Sequence, residues 1–212
     1  MEAFIFDMDG VIIDSQPIHF EVELAGLRFF GIQKGADFLE KYAGMTDYEM
    51  WELIKKEYPI HETTEKILEE QIKEKIRKVR ETDISPIEGI EKLIKNLCEK
   101  KIPIAVASSS PKLLIKEILN KLALYDYFDI VLSGEEVKKG KPAPDIYLET
   151  AKLLKVNPEA CVVLEDSRNG VMAAKAAGMK CIGYINPNSG RQDLSKADIV
   201  VKNICEIDIR FL

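Results

Sequence analysis

The sequence predicts an α/β protein, with a Rossmann-like, doubly wound parallel-sheet core that is interrupted by an inserted all-helical domain. Two observations support this prediction. Short apolar runs alternate with amphipathic helical patterns over the C-terminal part of the chain, as in successive βαβ units. Between about residues 15 and 85 there are several helical patterns but no strand-like run. We therefore expect a core of residues 1–14 and 86–212, with residues 15–85 as a helical cap inserted after the first strand.

Six short apolar runs are the expected strands of the core. The first, AFIFD at residues 3–7, is continuously apolar up to its aspartate, as expected of a strand that a parallel sheet buries on both faces. Because amphipathic helical patterns separate the later runs, the sheet should be parallel. These later runs are residues 102–107, 129–132, 161–165, 180–184 and, more weakly, 198–201.

Capping residues mark the expected helix boundaries. In the core, Ser110 directly before Pro111 predicts a helix N-cap, and Gly178 is expected to end a later helix. In the insert, Thr46 and Glu49 have the spacing of a capping box. The insert should contain at least three helices, at roughly residues 16–30, 46–57 and 63–81.

Composition and charge limit the possible functions. The 212 residues carry a formal net charge of −6, which argues against a general nucleic-acid-binding protein, because such proteins present a basic face. The four cysteines form no CxxC pair and, with only two histidines, no zinc pattern, so we expect reduced thiols. Finding no signal peptide and no transmembrane segment, we expect a cytoplasmic protein that does not bind membranes. Nothing in the sequence demands more than a monomer.

Polar side chains follow four of the predicted strands, at the point where each strand ends. Asp7 and Asp9 follow the first strand, Ser108 the second, Lys141 the third, and residues 165–166 (Glu-Asp) end the fourth. Ligands of open α/β sheets bind beyond the carboxyl ends of the strands. We therefore expect these side chains to gather at one edge of the sheet.

The chemistry of this set is that of phosphoryl transfer. Carboxylate oxygens suit a hard cation such as Mg²⁺, whereas a serine hydroxyl and a lysine ammonium suit phosphate oxygens. One carboxylate can attack phosphorus, and a second can protonate the leaving oxygen and later deprotonate water. The two aspartates near the N-terminus are therefore expected to hold a metal and a phosphoryl group between them.

Four stretches, DMDGVIID, ASSS, KGKPAPD and VVLEDSRNG, resemble the four motifs of the haloacid dehalogenase superfamily. The early helical insert is similar to that of the subgroup containing phosphoglycolate phosphatase, sugar-phosphate phosphatases and β-phosphoglucomutase. The resemblance implies that Asp7 is the nucleophile and a Mg²⁺ ligand. It implies that Asp9 is the general acid/base and that its backbone carbonyl also binds the metal.

The resemblance also implies roles for the later motifs. Ser108 corresponds to the phosphate-binding hydroxyl, with the adjacent Ser109 as a further phosphate-binding candidate. Lys141 corresponds to the lysine that holds the nucleophile and the phosphate together. Asp166 is the carboxylate that completes the metal site, and Glu165 either binds the metal through water or supports the site.

In the insert, the resemblance points to the substrate. His19 matches a histidine that couples the substrate to the acid/base residue, although an ordinary helix histidine explains it equally well. The loop containing Gly44 and Thr46 resembles a substrate-specificity loop. Asp47 stands where β-phosphoglucomutase has an arginine that grips a second phosphate, and residues 70–71 (Glu-Gln), near the position of the mutase's cap lysine, supply no cation.

We therefore expect a Mg²⁺-dependent phosphatase that acts on a small phosphorylated metabolite, a sugar or related phosphate monoester, through an aspartyl-phosphate intermediate. A β-phosphoglucomutase-type phosphotransferase is the alternative. A dehalogenase is a weaker interpretation, since those enzymes need neither Mg²⁺ nor the second aspartate, which is present here as Asp9. A non-enzymatic phospho-aspartate receiver domain is more remote, because its motifs occur in another order and it needs no large helical insert.

Overall fold

A computed structural model describes residues 1–42 and 46–211 of the chain. The chain divides into two compact units, one formed by Met1–Gln16 with Ile84–Leu212 and the other by Pro17–Asp83. The predicted insert, residues 15–85, is thus slightly longer than the second unit. None of the helices in the described residues is long and apolar enough to cross a membrane.

The first unit is built on a six-stranded, all-parallel sheet, which confirms the predicted fold class. The strands are β1 (Ala3–Phe6), β2 (Ile104–Ser108), β3 (Ile130–Ser133), β4 (Cys161–Glu165), β5 (Lys180–Tyr184) and β6 (Ile199–Val201). They lie in the order β3-β2-β1-β4-β5-β6. The chain therefore adds β2 and β3 on one side of β1 and then β4, β5 and β6 on the other, which is the arrangement of a doubly wound sheet.

The position of β1 determines where the polar strand ends meet. Every residue of β1 is buried, and the strand pairs with β2 on one side and β4 on the other. Phe6 is level with Val106 of β2 and Leu164 of β4. The residues that follow these three positions therefore emerge side by side at the same edge of the sheet.

Four helices accompany the sheet, and one of their predicted caps is wrong. They are α5 (Ile90–Glu99), α6 (Lys112–Lys121), α7 (Asp145–Leu154) and α8 (Arg168–Ala176). Ser110 was expected to cap α6, but Pro111 is the capping residue, and Glu135 Oε2 accepts from the Lys112 amide at the start of the helix (2.9 Å). The Ser110 hydroxyl instead donates to Asp9 Oδ2. Gly178 follows α8 with a φ of +76°, as expected of a residue that ends a helix.

The second unit contains helices only, among the residues described. These are α1 (Gln16–Phe29), which starts at the end of the first unit, α2 (Ala36–Leu39), α3 (Asp47–Glu57) and α4 (Thr64–Glu81). The predicted capping box of Thr46 and Glu49 opens α3 and is confirmed. The sequence did not predict α2, because four residues are too few to show a helical period.

Polar side chains lie on the buried face of α4. Gln71 and Lys75 are buried there between the apolar Ile67 and Val79. Gln71 Oε1 accepts a hydrogen bond from the indole nitrogen of the fully buried Trp51 (3.0 Å). A buried donor or acceptor without a partner is costly, so this contact fixes how α3 and α4 pack.

The buried Lys75 forms an ionic cluster with two acids of the same unit, the buried Glu23 and the exposed Asp47. Its ammonium donates to Asp47 Oδ2 (2.9 Å) and lies 3.8 Å from Glu23 Oε1. Burial raises the pKa of Glu23 to about 7, although Lys75 acts in the opposite direction. Two acids thus share a single buried lysine. Of the two, Glu23 is the buried one, and burial disfavours its ionised form.

We expect Glu23→Gln to reduce the pH dependence of stability. Because the pKa of Glu23 is higher in the folded protein than in the unfolded chain, folding takes up a proton at pH values between the two pKa values. The contribution of Glu23 to stability is thus present at low pH and is lost as pH rises through about 7. When the pH is raised from 5 to 8, the free energy of unfolding of wild type should therefore fall by roughly 2–3 kcal/mol more than that of Glu23→Gln. Urea unfolding at both pH values measures this difference.

The matched control is Glu21→Gln, which neutralises an exposed acid on the same helix. This variant should follow the wild-type pH dependence. If Glu21→Gln and Glu23→Gln reduced the pH dependence of the free energy of unfolding equally, the effect could not be assigned to the pairing of Glu23 with Lys75.

Candidate active site

The polar strand ends of the first unit meet in one cluster, as the sequence predicted. Asp7 follows β1, Ser108 ends β2 and Glu165 ends β4, so that three adjacent strands supply them. Lys141 comes from the segment between β3 and α7. The Asp7, Glu165 and Asp166 side chains are all buried. A buried group of this kind requires internal charge compensation.

Lys141 supplies that compensation. Its ammonium donates to Asp7 Oδ1 (2.7 Å), to Glu165 Oε1 (2.6 Å) and to the backbone carbonyl of Ala107 (3.1 Å). All three ammonium hydrogens can therefore be satisfied inside the protein. Burial alone would lower the pKa of Lys141, but Asp7 and Glu165 outweigh it and raise the pKa. The lysine is thus a permanent cation at this site.

The carboxylates nevertheless outnumber the cation. Burial raises the pKa of Asp7 well above its ordinary value. Lys141 opposes this rise, whereas Glu165, Asp166 and Asp9 add to it. Burial, with the nearby Glu165, raises the pKa of Asp166 to about 7. The site therefore favours a further positive charge beside Asp7 and Asp166.

The donor set fits a divalent cation. Asp7, Glu165 and Asp166 each offer a carboxylate oxygen, and these atoms lie within 4.8 Å of one another. Hard oxygen ligands of this kind suit Mg²⁺ or a similar ion. The Asp9 carboxylate is not part of this group, and the resemblance assigned only its backbone carbonyl to the metal. The residues present thus fit the expected Mg²⁺ site.

Glu165 is anchored at both oxygens. Besides Lys141, Oε1 accepts the phenol hydrogen of Tyr147 (2.8 Å). Oε2 accepts from the amides of Asp166 and Ser167 (3.1 Å each) and from the Ser167 hydroxyl (2.9 Å). This network supports the expectation that Glu165 holds the site together. The same hydrogen bonds leave the Glu165 oxygens few free lone pairs for direct metal binding.

A close approach of α8 makes this anchoring possible. A Cβ atom on Gly170 would lie 1.7 Å from Glu165 Oε1, so no residue larger than glycine fits there without displacing the carboxylate. Ser167 caps α8 by accepting a hydrogen bond from the Gly170 amide. The glycine of the fourth motif thus lets the helix begin directly against the buried acid.

Three serine hydroxyls surround the carboxylate of Asp9. Ser15 donates to Oδ1 (2.5 Å), while Ser110 (2.7 Å) and Ser108 (3.2 Å) donate to Oδ2. Ser109 was predicted beside Ser108 as a phosphate-binding residue, but its side chain is exposed, in contrast to the buried Ser108 and Ser110. The alternation of side chains along an extended segment explains why every second serine reaches Asp9.

Sequence reasoning missed Ser15, Ser110 and Tyr147. Ser110 was expected to cap a helix, and no role in the site was predicted for Ser15 or Tyr147. The one signal was the spacing of Ser108 and Ser110, two residues apart at the end of a buried strand, because such side chains point to the same face. No local pattern indicated Tyr147, because its partner Glu165 is 18 residues away.

The candidates from the insert lie in the second unit. His19, on α1, is partly buried, and its charge interaction with Glu23 acts to lower the pKa of that acid. Thr46 is exposed and caps α3. Gly44 lies outside the described residues. Asp47 was expected where the mutase has its phosphate-gripping arginine, so that the insert would lack a cation there. In the structure the Asp47 carboxylate is paired with the ammonium of Lys75.

Comparison with known proteins agrees with this geometry. The profile of the family described as haloacid dehalogenase-like hydrolase matches residues 4–184. A phosphorylated carbohydrates phosphatase of Thermotoga maritima is 35% identical over 182 residues, which cover 86% of this chain and 84% of that protein. Hexitol phosphatase B of Escherichia coli K12 is 30% identical over 213 residues, with 99% and 96% covered. The crystal structure of β-phosphoglucomutase from Clostridium difficile superposes with a TM-score of 0.84 at 32% identity, covering 100% of this chain and 95% of that one.

We expect Tyr147→Phe to destabilise the protein by about 1–2 kcal/mol, because it removes a buried hydrogen bond to a charged carboxylate. The phenylalanine ring would keep the packing and the position of the aromatic face, whose centroid lies 5.0 Å from Lys141 Nζ. Urea unfolding measures the change. Tyr127→Phe, at an exposed tyrosine, is the control and should leave the free energy of unfolding unchanged. Equal stability of the two variants would argue against a bond of this strength.

Proposed function

The chain belongs to the haloacid dehalogenase-like hydrolase family, and we propose that it is a Mg²⁺-dependent phosphatase acting on monoesters of small sugars or related metabolites. The family match confirms the resemblance that four motifs predicted, and the phosphatases among its relatives confirm the prediction of a phosphatase-type enzyme. The observation that carries the proposal is Lys141 Nζ, held 2.7 Å from Asp7 Oδ1 among further buried carboxylates.

Asp7 is the proposed nucleophile. Its carboxylate oxygen attacks the phosphorus, the bond from phosphorus to the ester oxygen breaks, and an aspartyl-phosphate forms. Lys141 neutralises charge on the transferring group, and the Ser108 hydroxyl turns from Asp9 to a phosphate oxygen. A Mg²⁺ ion held by Asp7, Asp166 and the backbone carbonyl of Asp9, with Glu165 as support, would supply further charge neutralisation at the phosphoryl oxygens.

Asp9 is the proposed general acid/base. It protonates the leaving ester oxygen in the first step, and it takes a proton from the water that attacks the aspartyl-phosphate in the second. When Ser108 turns to the phosphate, Ser15 and Ser110 still hold the two oxygens of Asp9. The acid/base residue would thus keep its orientation while one of its donors is used for the substrate.

Hydrolysis is proposed over transfer within a bisphosphate. A mutase has to bind a second phosphate, which needs an uncompensated cation in the insert. Asp47 occupies the position of the mutase's arginine, and Lys75 is neutralised by Asp47 and lies close to Glu23. This cluster offers no net positive charge to a phosphate. We propose that the helical unit, with Thr46, Gly44 and His19 as candidates, selects the substrate.

Asp7→Asn should lower the rate of phosphate release from a panel of sugar phosphates by at least about a thousandfold in the presence of Mg²⁺. An amide is a poor nucleophile, and the substitution changes the size of the side chain very little. Circular dichroism melting should show that the variant is folded. Asp126→Asn, at an exposed aspartate of the same unit, is the matched control. Near wild-type turnover by folded Asp7→Asn would refute the nucleophile assignment.

A parallel assay separates the two activities. β-Glucose 1-phosphate with a trace of glucose 1,6-bisphosphate should give free phosphate from the wild-type protein and little glucose 6-phosphate. Rapid formation of glucose 6-phosphate with little free phosphate would instead identify a mutase, despite the neutralised cluster in the insert.

A further inference from the structure

We propose that Asn186 and Ser189, in the loop after β5, are positioning residues for the metal site. None of the four sequence motifs includes this loop. Its side chains contact both Asp166 and the turn at Gly10, two parts of the chain that border the expected Mg²⁺ site. The inference rests on the proposed function, since it assigns to these residues the task of holding the metal ligands in place.

Ser189 holds one oxygen of Asp166. Its hydroxyl donates to Asp166 Oδ2, and the carboxylate is almost fully buried. The carboxylate oxygens of Asp7, Glu165 and Asp166 lie within 4.8 Å of one another, so their negative charges repel one another at short range. Asp166 needs a donor to keep it beside the other acids, and Ser189 supplies one.

The Gly10 turn fits closely against this pair. Gly10 has a φ of +81°, a conformation that glycine adopts at low cost. A Cβ atom on Gly10 would lie 2.0 Å from Asp166 Oδ2 and 2.8 Å from Ser189 Oγ. The turn that carries Asp9 therefore packs directly on the hydrogen bond between Ser189 and Asp166, and the three groups constrain one another.

Asn186 connects the same loop to the backbone of the turn. Its buried amide Nδ2 donates to the carbonyl of Gly10 (2.9 Å), and its Oδ1 accepts from the amide of Asn188 (2.8 Å). Asn188 in turn donates to Asp14 Oδ2. Contacts at Gly10 and Asp14 therefore hold both ends of the turn against the loop. The backbone carbonyl of Asp9, an expected metal ligand, directly precedes the Gly10 end of this held segment.

These contacts should act on metal affinity in particular. Partners that orient a metal ligand commonly change metal affinity by about 10–100-fold when they are removed. Loss of the Ser189 hydroxyl would free the Asp166 carboxylate to turn away from Asp7. The metal would then have to restore the orientation on binding, and part of its binding free energy would be lost.

Isothermal titration with MgCl₂ at pH 7.5 tests the inference directly. Ser189→Ala and Asn186→Ala should raise the Kd for Mg²⁺ by about 10–100-fold. Ser189→Thr, which keeps the hydroxyl, should bind within about threefold of wild type if only the donor matters. Ser195→Ala removes an exposed serine later in the same segment and should not change the Kd.

Phosphate release as a function of Mg²⁺ concentration provides the second readout. Ser189→Ala should need more Mg²⁺ for half-maximal activity and should recover most of its kcat at saturating Mg²⁺, whereas general damage to the fold would lower kcat at every concentration. Wild-type Mg²⁺ affinity in folded Ser189→Ala would overturn the inference and leave the proposed function standing. If the wild-type protein itself bound no Mg²⁺, the proposed metal dependence would fail together with the inference.

Discussion

Lys141 is the group on which the site depends. A buried ammonium between Asp7 and Glu165 is stable only because both acids accept its hydrogen bonds, and the acids tolerate burial only because the cation is present. Glu165 is anchored in turn by Tyr147 and by the first amides after β4. The charge that neutralises Asp7, the proposed nucleophile, is therefore held by the fold itself, in a fixed position, before any substrate arrives. Such preorganisation is what makes a charge effective in phosphoryl transfer.

The parallel sheet makes this ion pair possible. Asp7 and Glu165 emerge from neighbouring strands, and Lys141 reaches them from the segment after β3. Two glycines allow the surrounding chain to come close enough. Gly10 lets the first turn pack on Asp166, and Gly170 lets α8 begin against Glu165. A side chain at either glycine would occupy the space of a carboxylate, so the charge cluster and the backbone around it depend on each other.

Further polar side chains surround these proposed catalytic groups. Serine hydroxyls orient Asp9 and Asp166, and the Asn186 amide holds the Gly10 carbonyl. In the helical unit the same holds for Lys75, whose buried ammonium is paired with Asp47 and lies 3.8 Å from Glu23. In both units, hydrogen bonds and charge pairing decide whether a polar group is available to a substrate or is used by the protein.

The sequence by itself predicted the fold class, the helical insert and the polar residues that follow the strands, among them Asp7, Lys141 and Asp166. These features follow from local patterns, namely apolar runs, helical periods and short motifs, which the residues display whatever their partners are. Only the tertiary structure decided that Ser110 faces Asp9 instead of capping a helix, and that Asn186 binds Gly10. Asn186 and Gly10 are 176 residues apart, and no local pattern specifies the partner of a polar side chain, because that partner is chosen by packing and burial.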